Sequence, residues 1–382
     1  MKFAHLGDCH LGGWRHPELK ELNFKSFQIA VEKCIKEKVE FVLIAGDLFD
    51  SPYPSIEILK ETFREFRKLK ESGIPVFLIA GSHDYSVSGK TFLEVLEKSG
   101  FCTNVAIHEE RNDSLILIPT LFKNVAIYGY PGKKSALEVE DIEKIKLQDA
   151  PGLFKILMLH TAIRDAVGNL PIKAVDERYL PKVDYLALGH LHIHYQRENR
   201  IYSGPIFPNT LSELEELKGG SFYIFNNGQI KREDIAIKKI LSINFEAKNA
   251  FNATEEILAL LEKEEPKDKI IILKLFGVLE KGKITDIDFL KIESYLKKRG
   301  AFFFLKSTSK LFFPESEFKL DVIDSSNLET EIIKNFEQTN PSKFNYFIPD
   351  IMKSLQSERK EDEKSSVFEE RLLSEMRRIL KL

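Results

Sequence analysis

Short runs of hydrophobic residues recur along the first half of the chain, and an Asp or a His follows almost every run. Each run is four or five residues long and is bounded by glycine or polar residues. Runs of this kind are typical of buried strands. The pattern therefore predicts strands at Phe3 to Leu6, Phe41 to Ala45, Val76 to Ala80, Ile156 to Leu159 and Tyr185 to Leu188.

Hydrophobic residues between the early runs follow a different spacing. Within residues 24–35 and 56–66 they recur every three or four positions. This spacing is typical of amphipathic helices, so helices are expected to cross between the first strands. The sequence therefore predicts an α/β fold.

Beyond His192 the hydrophobic runs become shorter and turns become more frequent. The turn Asn226-Asn227-Gly228 separates two of the short runs, as in a hairpin. We expect residues 201–203, 221–225 and 234–237 to form a second, more antiparallel sheet that packs against the first. The predicted first domain, residues 1–239, is thus a two-sheet sandwich flanked by helices.

The pattern changes again near residue 240. Predicted helices at 255–263 and 286–298 alternate with predicted strands at 270–276 and 301–306, which indicates a small α/β capping domain at 240–313. A polar stretch, 314–327, is typical of a linker, and 328–382 has a helical pattern to its end.

The C-terminal segment carries two hydrophobic stripes at helical spacing. Amphipathic helices of this size do not bury such stripes by themselves. Two interpretations follow: the helices dock on the rest of this chain, or they bind a partner. The residues concerned are Phe344, Phe347, Ile348 and Ile351 in one stripe, and Phe368, Leu372, Met376 and Ile379 in the other.

Composition and charge narrow the class of protein. The chain has 382 residues, which is more than a single hydrophobic core usually accommodates, and no hydrophobic stretch is long enough to cross a membrane. The net charge of −3 excludes a uniformly basic surface, so any affinity for DNA must be local. The three cysteines form no C-x-x-C pair and no leader precedes the first strand, which together predict a cytoplasmic protein.

The polar residues that follow the strands have the chemistry of a metal site. Mixed carboxylate and imidazole ligands favour Mn²⁺, Fe²⁺ or Zn²⁺ over Ca²⁺ and Mg²⁺. The candidates are too many for one ion, and a shared Asp47 would bridge two ions, the arrangement used for phosphoryl displacement. If the first strand continues past Leu6, its side chains alternate between the two faces of the sheet. Asp8 and His10 would then point to one side, and Cys9 to the hydrophobic core. The predicted ligands are Asp8, His10, Asp47, His160, His190 and His192.

The segment Gly81-Ser82-His83-Asp84 offers a proton donor. His83 is not required as a ligand, so it is a candidate for protonating the leaving alkoxide, and Asp84 is a candidate for orienting its ring.

The ordered motifs D-x-H, G-D, G-S-H-D, a single H and G-H-x-H resemble those of the calcineurin-like metallophosphoesterases. The resemblance is closer still to the DNA double-strand-break repair nucleases of archaea and eukaryotes and their bacterial exonuclease relatives. Those proteins share openings like KFAHLGDCHLG, a segment like FVLIAGDLFD and a late SGP…N…E segment, here at Ser203-Gly204-Pro205.

The resemblance implies a site with two Mn²⁺ ions. Asp8, His10, Asp47 and His192 would hold one ion, and Asp47, Ser82, His160 and His190 the other. Two positions depart from the family pattern. Ser82 stands where the family has a metal-binding Asn, and Asp50 where the relatives closest in pattern often have a second histidine. Ser82 would weaken the second ion's site.

The resemblance also implies a function and partners. It implies a Mn²⁺-dependent nuclease that degrades DNA ends from the three-prime side and cuts single strands. The C-terminal helices would bind the coiled coil of an ABC-type ATPase, and early helices near 56–69 and 92–96 would form a homodimer within a heterotetramer. The alternatives are a phosphatase or small-molecule phosphodiesterase of the same fold, and a DNA-end scaffold whose metal site is weakened by Ser82.

Overall fold

The computed structural model describes residues 1–86, 91–168, 170–312, 342, 345–355, 357 and 365–380. The chain divides into two compact units, residues 1–312 and residues 313–382. The predicted linker at 314–327 and Phe344 lie outside the described residues.

Strands and helices alternate through the first 235 residues, as the hydrophobic pattern predicts. The strands are β1 (Lys2–Leu6), β2 (Phe41–Ala45), β3 (Val76–Ile79), β4 (Thr103–Asn104), β5 (His108–Arg111), β6 (Ser114–Leu117), β7 (Thr120–Phe122), β8 (Val125–Tyr130), β9 (Ile145–Leu147), β10 (Phe154–His160), β11 (Tyr185–Gly189), β12 (Tyr195–Arg197), β13 (Arg200–Tyr202), β14 (Gly220–Asn226) and β15 (Gln229–Ile235). The helices are α1 (Pro17–Lys36), α2 (Ile56–Glu71), α3 (Leu93–Lys98), α4 (Glu138–Ile142), α5 (Arg164–Val167) and α6 (Leu211–Leu217).

Twelve of these strands form two large sheets, which confirms the predicted α/β sandwich, and β5, β6 and β9 form a small third sheet. The first sheet has the order β15-β14-β1-β2-β3-β4 and the second β12-β13-β11-β10-β8-β7. The central strands β1, β2 and β3 are mutually parallel, and so are β8, β10 and β11. Their carboxyl ends therefore meet at one edge of each sheet.

The allocation of the late strands to the second sheet is wrong in part. The hairpin of β14 and β15 joins the first sheet, where β14 pairs antiparallel with β1, and only β13 lies in the second. The turn Asn226-Asn227-Gly228 specifies the hairpin locally. It carries no information about which strand the hairpin pairs with, because that contact joins residues more than two hundred positions apart.

The core between the sheets is rich in aromatic residues. Phe3 stacks on Phe41 and Phe225, with ring centroids 4.9 and 4.8 Å apart. His5 follows Phe3 on the same face of β1 and is fully buried, with its Nδ1 3.1 Å from the Tyr185 hydroxyl. A histidine therefore occupies an otherwise hydrophobic position of this core.

Residues 239–312 form a small parallel sheet with helices, close to the predicted cap boundaries. Its outer face packs on the helices, and its inner face, with Ile272 and Leu305, joins a hydrophobic cluster with Leu19 and Leu22 of α1. The division into a first domain and a cap stays a prediction, since residues 1–312 form one compact unit. The elements are β16 (Lys239–Glu246), α7 (Ala250–Glu262), β17 (Lys269–Val278), α8 (Phe289–Lys298) and β18 (Phe303–Phe312).

The second unit contains α9 (Ile348–Leu355) and α10 (Ser365–Leu380), which contact each other. The described residues of both predicted stripes are half-buried, namely Phe347, Ile348, Ile351, Phe368, Leu372, Met376 and Ile379. Leu355 and Leu373 are more exposed. Among the residues that the structure describes, no helix is both long and hydrophobic enough to span a membrane.

Candidate metal centre

The predicted metal ligands come together where the carboxyl ends of both sheets meet. Asp8 and His10 follow β1, and Asp47 follows β2, both strands of the first sheet. His160 ends β10, and His190 follows β11, both strands of the second sheet. The site is thus built by the two sheets together, and His192 completes it from the loop after β11.

Contrary to the prediction, the ligands are not presented by the alternating side chains of a continuing strand. Strand β1 ends at Leu6, and Asp8 and His10 have left-handed backbone conformations, with φ of 50° and 43°. Asp47 and His190 share this feature, with φ of 47° and 94°. The loops after β1 and β2 bond to each other here, since the His10 N–H donates to the Asp47 carbonyl at 2.9 Å. This pairing holds a conformation that costs a non-glycine residue on the order of 1 kcal/mol.

Cys9, between the two ligands, is fully buried in the hydrophobic core, as predicted. All three cysteines are buried and unpaired.

Asp47 contacts one histidine from each predicted ligand set. Its Oδ2 lies 3.7 Å from Nε2 of His10 and 3.2 Å from Nε2 of His160. Asp8 reaches both sides as well, because its ligand atoms group with those of His10 and His192 and also with those of Asp47 and His160. Both carboxylates are therefore placed to be shared between two ions.

The residues present fit divalent metal ions. The Nε2 atoms of His10 and His192 face each other at 3.0 Å, so at least one lone pair points at the other ring. Nε2 of His160 is buried and makes no hydrogen bond of good geometry. Imidazole nitrogens and carboxylate oxygens aimed at one space form a ligand set for Mn²⁺, Fe²⁺ or Zn²⁺.

The electrostatics of the site favour a positive charge. Burial alone would lower the pKa of His160, but the carboxylates of Asp47 and Asp8 outweigh it and raise that pKa. Burial would raise the pKa of Asp47, and the nearby histidines reverse this shift and lower it. Burial and the proximity of His160 lower the pKa of His190, which keeps its ring neutral and able to bind a metal. A bound cation would replace the proton that these carboxylates attract.

A hydrogen bond at Nδ1 fixes the ring of three ligand histidines. His160 donates to the Ala45 carbonyl at 3.0 Å, and His10 donates to the Asp50 carboxylate at 3.1 Å. His192 donates to the Glu213 carboxylate at 3.1 Å. Each bond leaves Nε2 free for a metal. The role of Glu213 as the partner of His192 was not predicted from the sequence. The available signal was the SGP…N…E segment, in which Glu213 is the final residue.

His83 lies at the mouth of the site. Its side chain is 49% exposed, and its Nδ1 donates to the Asp50 carbonyl at 2.9 Å. The ring packs edge-on against His10, with centroids 4.8 Å apart. The Nε2 atom of His83 is therefore available to a bound substrate.

Asp84 does not orient His83, contrary to the prediction. Its buried carboxylate accepts hydrogen bonds from the backbone N–H groups of Gly81, Leu48 and Phe49, so it ties the loop after β3 to the loop after β2. Burial and the negative charge of Asp47 raise its pKa to about 7. In the turn after β3, Asp84 is buried and the neighbouring His83 is exposed, so the two side chains lie in different surroundings.

Ser82 is half-buried in the same loop. With His83, Asp50 and Lys134 it lines an open cavity of about 340 Å³ beside the metal centre. The amide N–H of His83 donates to Asp47 at 2.8 Å, which fixes this loop against the ligands.

Comparison with known proteins gives one family and several relatives. Residues 1–194 match the family described as calcineurin-like phosphoesterase. The chain is 26% identical over 79% of its length to the "DNA double-strand break repair protein Mre11" of Methanosarcina acetivorans, of which the match covers 49%. It is 28% identical to the protein of the same name from Methanocaldococcus jannaschii, over 78% of this chain and 82% of that one. The "Uncharacterized metallophosphoesterase YhaO" of Bacillus subtilis is 29% identical over 69% of each chain. The chain thus spans about half the length of some relatives and most of others.

Proposed function

Since the chain belongs to the calcineurin-like phosphoesterase family, we propose that it is a metal-dependent nuclease that hydrolyses phosphodiester bonds at DNA ends. The family supports the phosphoester chemistry. The names of the archaeal relatives support DNA double-strand-break repair as its setting. The observation that carries the proposal is the position of His83, exposed at the mouth of a cluster of metal ligands.

The ligand residues would divide as the resemblance implies. Asp8, His10, Asp47 and His192 would hold one Mn²⁺ ion, and Asp47, Ser82, His160 and His190 would hold the other. In the structure, the ligand atoms of Asp8, His10 and His192 group together, and so do those of Asp8, Asp47 and His160. Bound divalent ions supply a nucleophilic water of lowered pKa and neutralise charge on the phosphate.

The other chemistry belongs to His83. Because Nδ1 of His83 donates to the Asp50 carbonyl, Nε2 is the atom that faces the substrate. In the doubly protonated ring, Nε2–H gives its proton to the leaving oxygen, and the ring is left neutral with its remaining proton on Nδ1. Asp84 acts indirectly, by holding together the loops that carry Asp47 and His83.

Several finer features complete the proposal. The nuclease degrades DNA from the three-prime side and cuts single strands. Its C-terminal helices bind the coiled coil of an ABC-type ATPase, and two copies of each protein form a heterotetramer. These features rest on the resemblance of the motifs, whereas the names of the relatives support only double-strand-break repair.

The first test is digestion of end-labelled double-stranded DNA with Mn²⁺ or with EDTA. We expect Mn²⁺-dependent shortening that falls at least ~10²-fold in His83→Ala. The matched control is His108→Ala, an exposed histidine of β5, which should retain full activity. Well-folded protein that hydrolysed small phosphoesters but left DNA intact would refute the nuclease and favour the phosphatase alternative.

A further inference from the structure

A chain of polar contacts joins the two histidines of the first ion's set through their Nδ1 atoms, and their Nε2 atoms face the metal position. The Asp50 carboxylate accepts from Nδ1 of His10 at 3.1 Å and from the side-chain amide of Asn209 at 3.2 Å, both through Oδ1. Glu213 accepts from the backbone N–H of Asn209 at 2.8 Å and from Nδ1 of His192 at 3.1 Å. The path from His10 to His192 is thus continuous, and their Nε2 atoms meet at 3.0 Å. We call these five residues the polar ring.

The polar ring is held in place from outside. The Thr210 hydroxyl donates to the second oxygen of Glu213 at 3.1 Å. Gly13 passes so close that a Cβ there would lie 2.6 Å from Oδ1 of Asn209. The lack of a side chain at Gly13 is what allows Asn209 to reach Asp50.

The histidines of the second set have no such support. Nδ1 of His160 donates to a backbone carbonyl, which is neutral. Among the described residues, no side chain or backbone group makes a hydrogen bond with the ring of His190, whose backbone N–H alone bonds to Asp8. A carboxylate that accepts a hydrogen bond from Nδ1 fixes the tautomer of the ring and makes Nε2 a better metal ligand. A neutral acceptor has a smaller effect, and a ring without an acceptor lacks this effect.

We propose that the polar ring makes the two metal positions unequal. Asp50 and Glu213 are positioning residues that fix His10 and His192 with Nε2 free, so the first ion binds tightly. The second ion, which depends on Ser82 and His190, binds more weakly and is the one exchanged. This inference rests on the proposed function only for the assignment of the metal ligands. The role of Asp50 depends on its negative charge, which a histidine at this position would not provide.

The test is a titration of the metal-free full chain with Mn²⁺. Calorimetry measures the heat of binding, and electron paramagnetic resonance measures the concentration of free Mn²⁺. We expect two classes of site. Asp50→Ala should weaken the tight class ~10- to 100-fold and leave the weak class within about twofold. Asp50→Asn should have a smaller effect, because its Oδ1 still accepts from His10. Ser82→Asn should tighten the weak class alone.

The control is Asp149→Asn, an aspartate 81% exposed on the surface, which should change neither class. Nitrogen NMR of the metal-free protein gives a second readout. His10 should carry its proton on Nδ1 in the wild type and lose that preference in Asp50→Ala. Thermal unfolding of each variant separates misfolding from loss of positioning.

A single class of site in the wild type would overturn the proposal, and so would equal weakening of both classes by Asp50→Ala. Because no DNA is present in these measurements, two unequal classes in a protein that does not cleave DNA would refute the proposed function and leave the polar ring intact.

Discussion

At the scale of single residues, the metal centre depends on the smallest side chains as well as on the ligands. Gly46 precedes Asp47, has a φ of 87°, and leaves so little room that a Cβ there would lie 2.1 Å from Nδ1 of His160. The ring of His160 therefore occupies the space that a side chain at Gly46 would need.

We expect Gly46→Ala to destabilise the fold by more than about 3 kcal/mol, since backbone strain and overlap with His160 act together. Gly152→Ala separates the two effects, because Gly152 also has a positive φ but has no atom within 4 Å of an added Cβ. It should cost only ~1 kcal/mol. Urea unfolding of both variants measures the difference, and equal costs would contradict a steric role for Gly46.

His5 gives the sandwich a dependence on pH. Burial lowers the pKa of His5 from 6.5 to about 3, so the folded state binds its proton less well than the unfolded chain does. Stability from the neutral ring is complete above pH 6.5 and declines as the pH falls towards 3. The decline should be ~1.4 kcal/mol per pH unit.

His5→Phe removes this proton equilibrium while keeping an aromatic ring between the sheets. Between pH 6.5 and about pH 5, the wild type should lose ~2 kcal/mol of unfolding free energy relative to the variant. Denaturant unfolding at both pH values gives the comparison. A difference between the two proteins that stays constant over this range would rule out His5 as the titrating group.

The metal ligands can be predicted from the sequence, but the hydrogen bonds that hold them in place cannot. The ligand histidines and aspartates stand directly after hydrophobic runs, which is a local signal. The left-handed conformation of Asp8 depends on hydrogen bonds to the next loop, and the partner of His192 is Glu213, in a helix that follows another loop. Such contacts are long-range, so hydrophobic spacing does not encode them. The expected contact of Asp84 with His83 failed for the same reason.

At the scale of elements, buried parallel strands are the best-predicted part of the molecule. Predicted and observed strands agree within two residues at each end for β1, β2, β3, β10 and β11. Apart from His5 in β1, their runs are wholly hydrophobic because both faces are covered. The hairpin β14–β15 was assigned to the wrong sheet, since its pairing with β1 is decided by packing and not by the turn.

The helices α9 and α10 carry the proposed ATPase-binding function. Removal of residues 328–382 should abolish binding to the coiled-coil partner, because the stripes with Phe347 and Leu372 are lost. Cleavage of simple DNA ends should persist, since every metal ligand lies before residue 193. Co-purification and end-labelled digestion measure the two activities in the same preparation. Retained binding to the ATPase would place the interface elsewhere.

At the scale of the whole molecule, exposed hydrophobic residues support the proposed homodimer. Ile56 at the start of α2 is 79% exposed and Val95 on α3 is 45% exposed, whereas the other hydrophobic residues of both helices pack on the core. Exposed hydrophobic surface of this kind favours association.

We expect Ile56→Glu to shift the protein from dimer to monomer, because a dimer interface there would bury the new charge. Sedimentation equilibrium of the full chain measures the dissociation constant, which should rise at least ~10-fold. Leu121→Glu is the control, since Leu121 is 64% exposed on β7 and lies outside both helices. If both variants weakened the dimer equally, the effect would come from net charge and not from α2.

Because both sheets contribute ligands, the metal centre can form only after the two sheets have come together. The carboxylate of Asp8 accepts from the amide of His190, 182 positions further along the chain. Contacts of such sequence separation form late, after the local helices and strand pairs. A growing chain on the ribosome has no complete set of metal ligands until His192 has left the exit tunnel, and His192 has no carboxylate partner until Glu213 has left it. Metal binding is therefore acquired late in folding, and an incomplete chain carries no assembled metal centre.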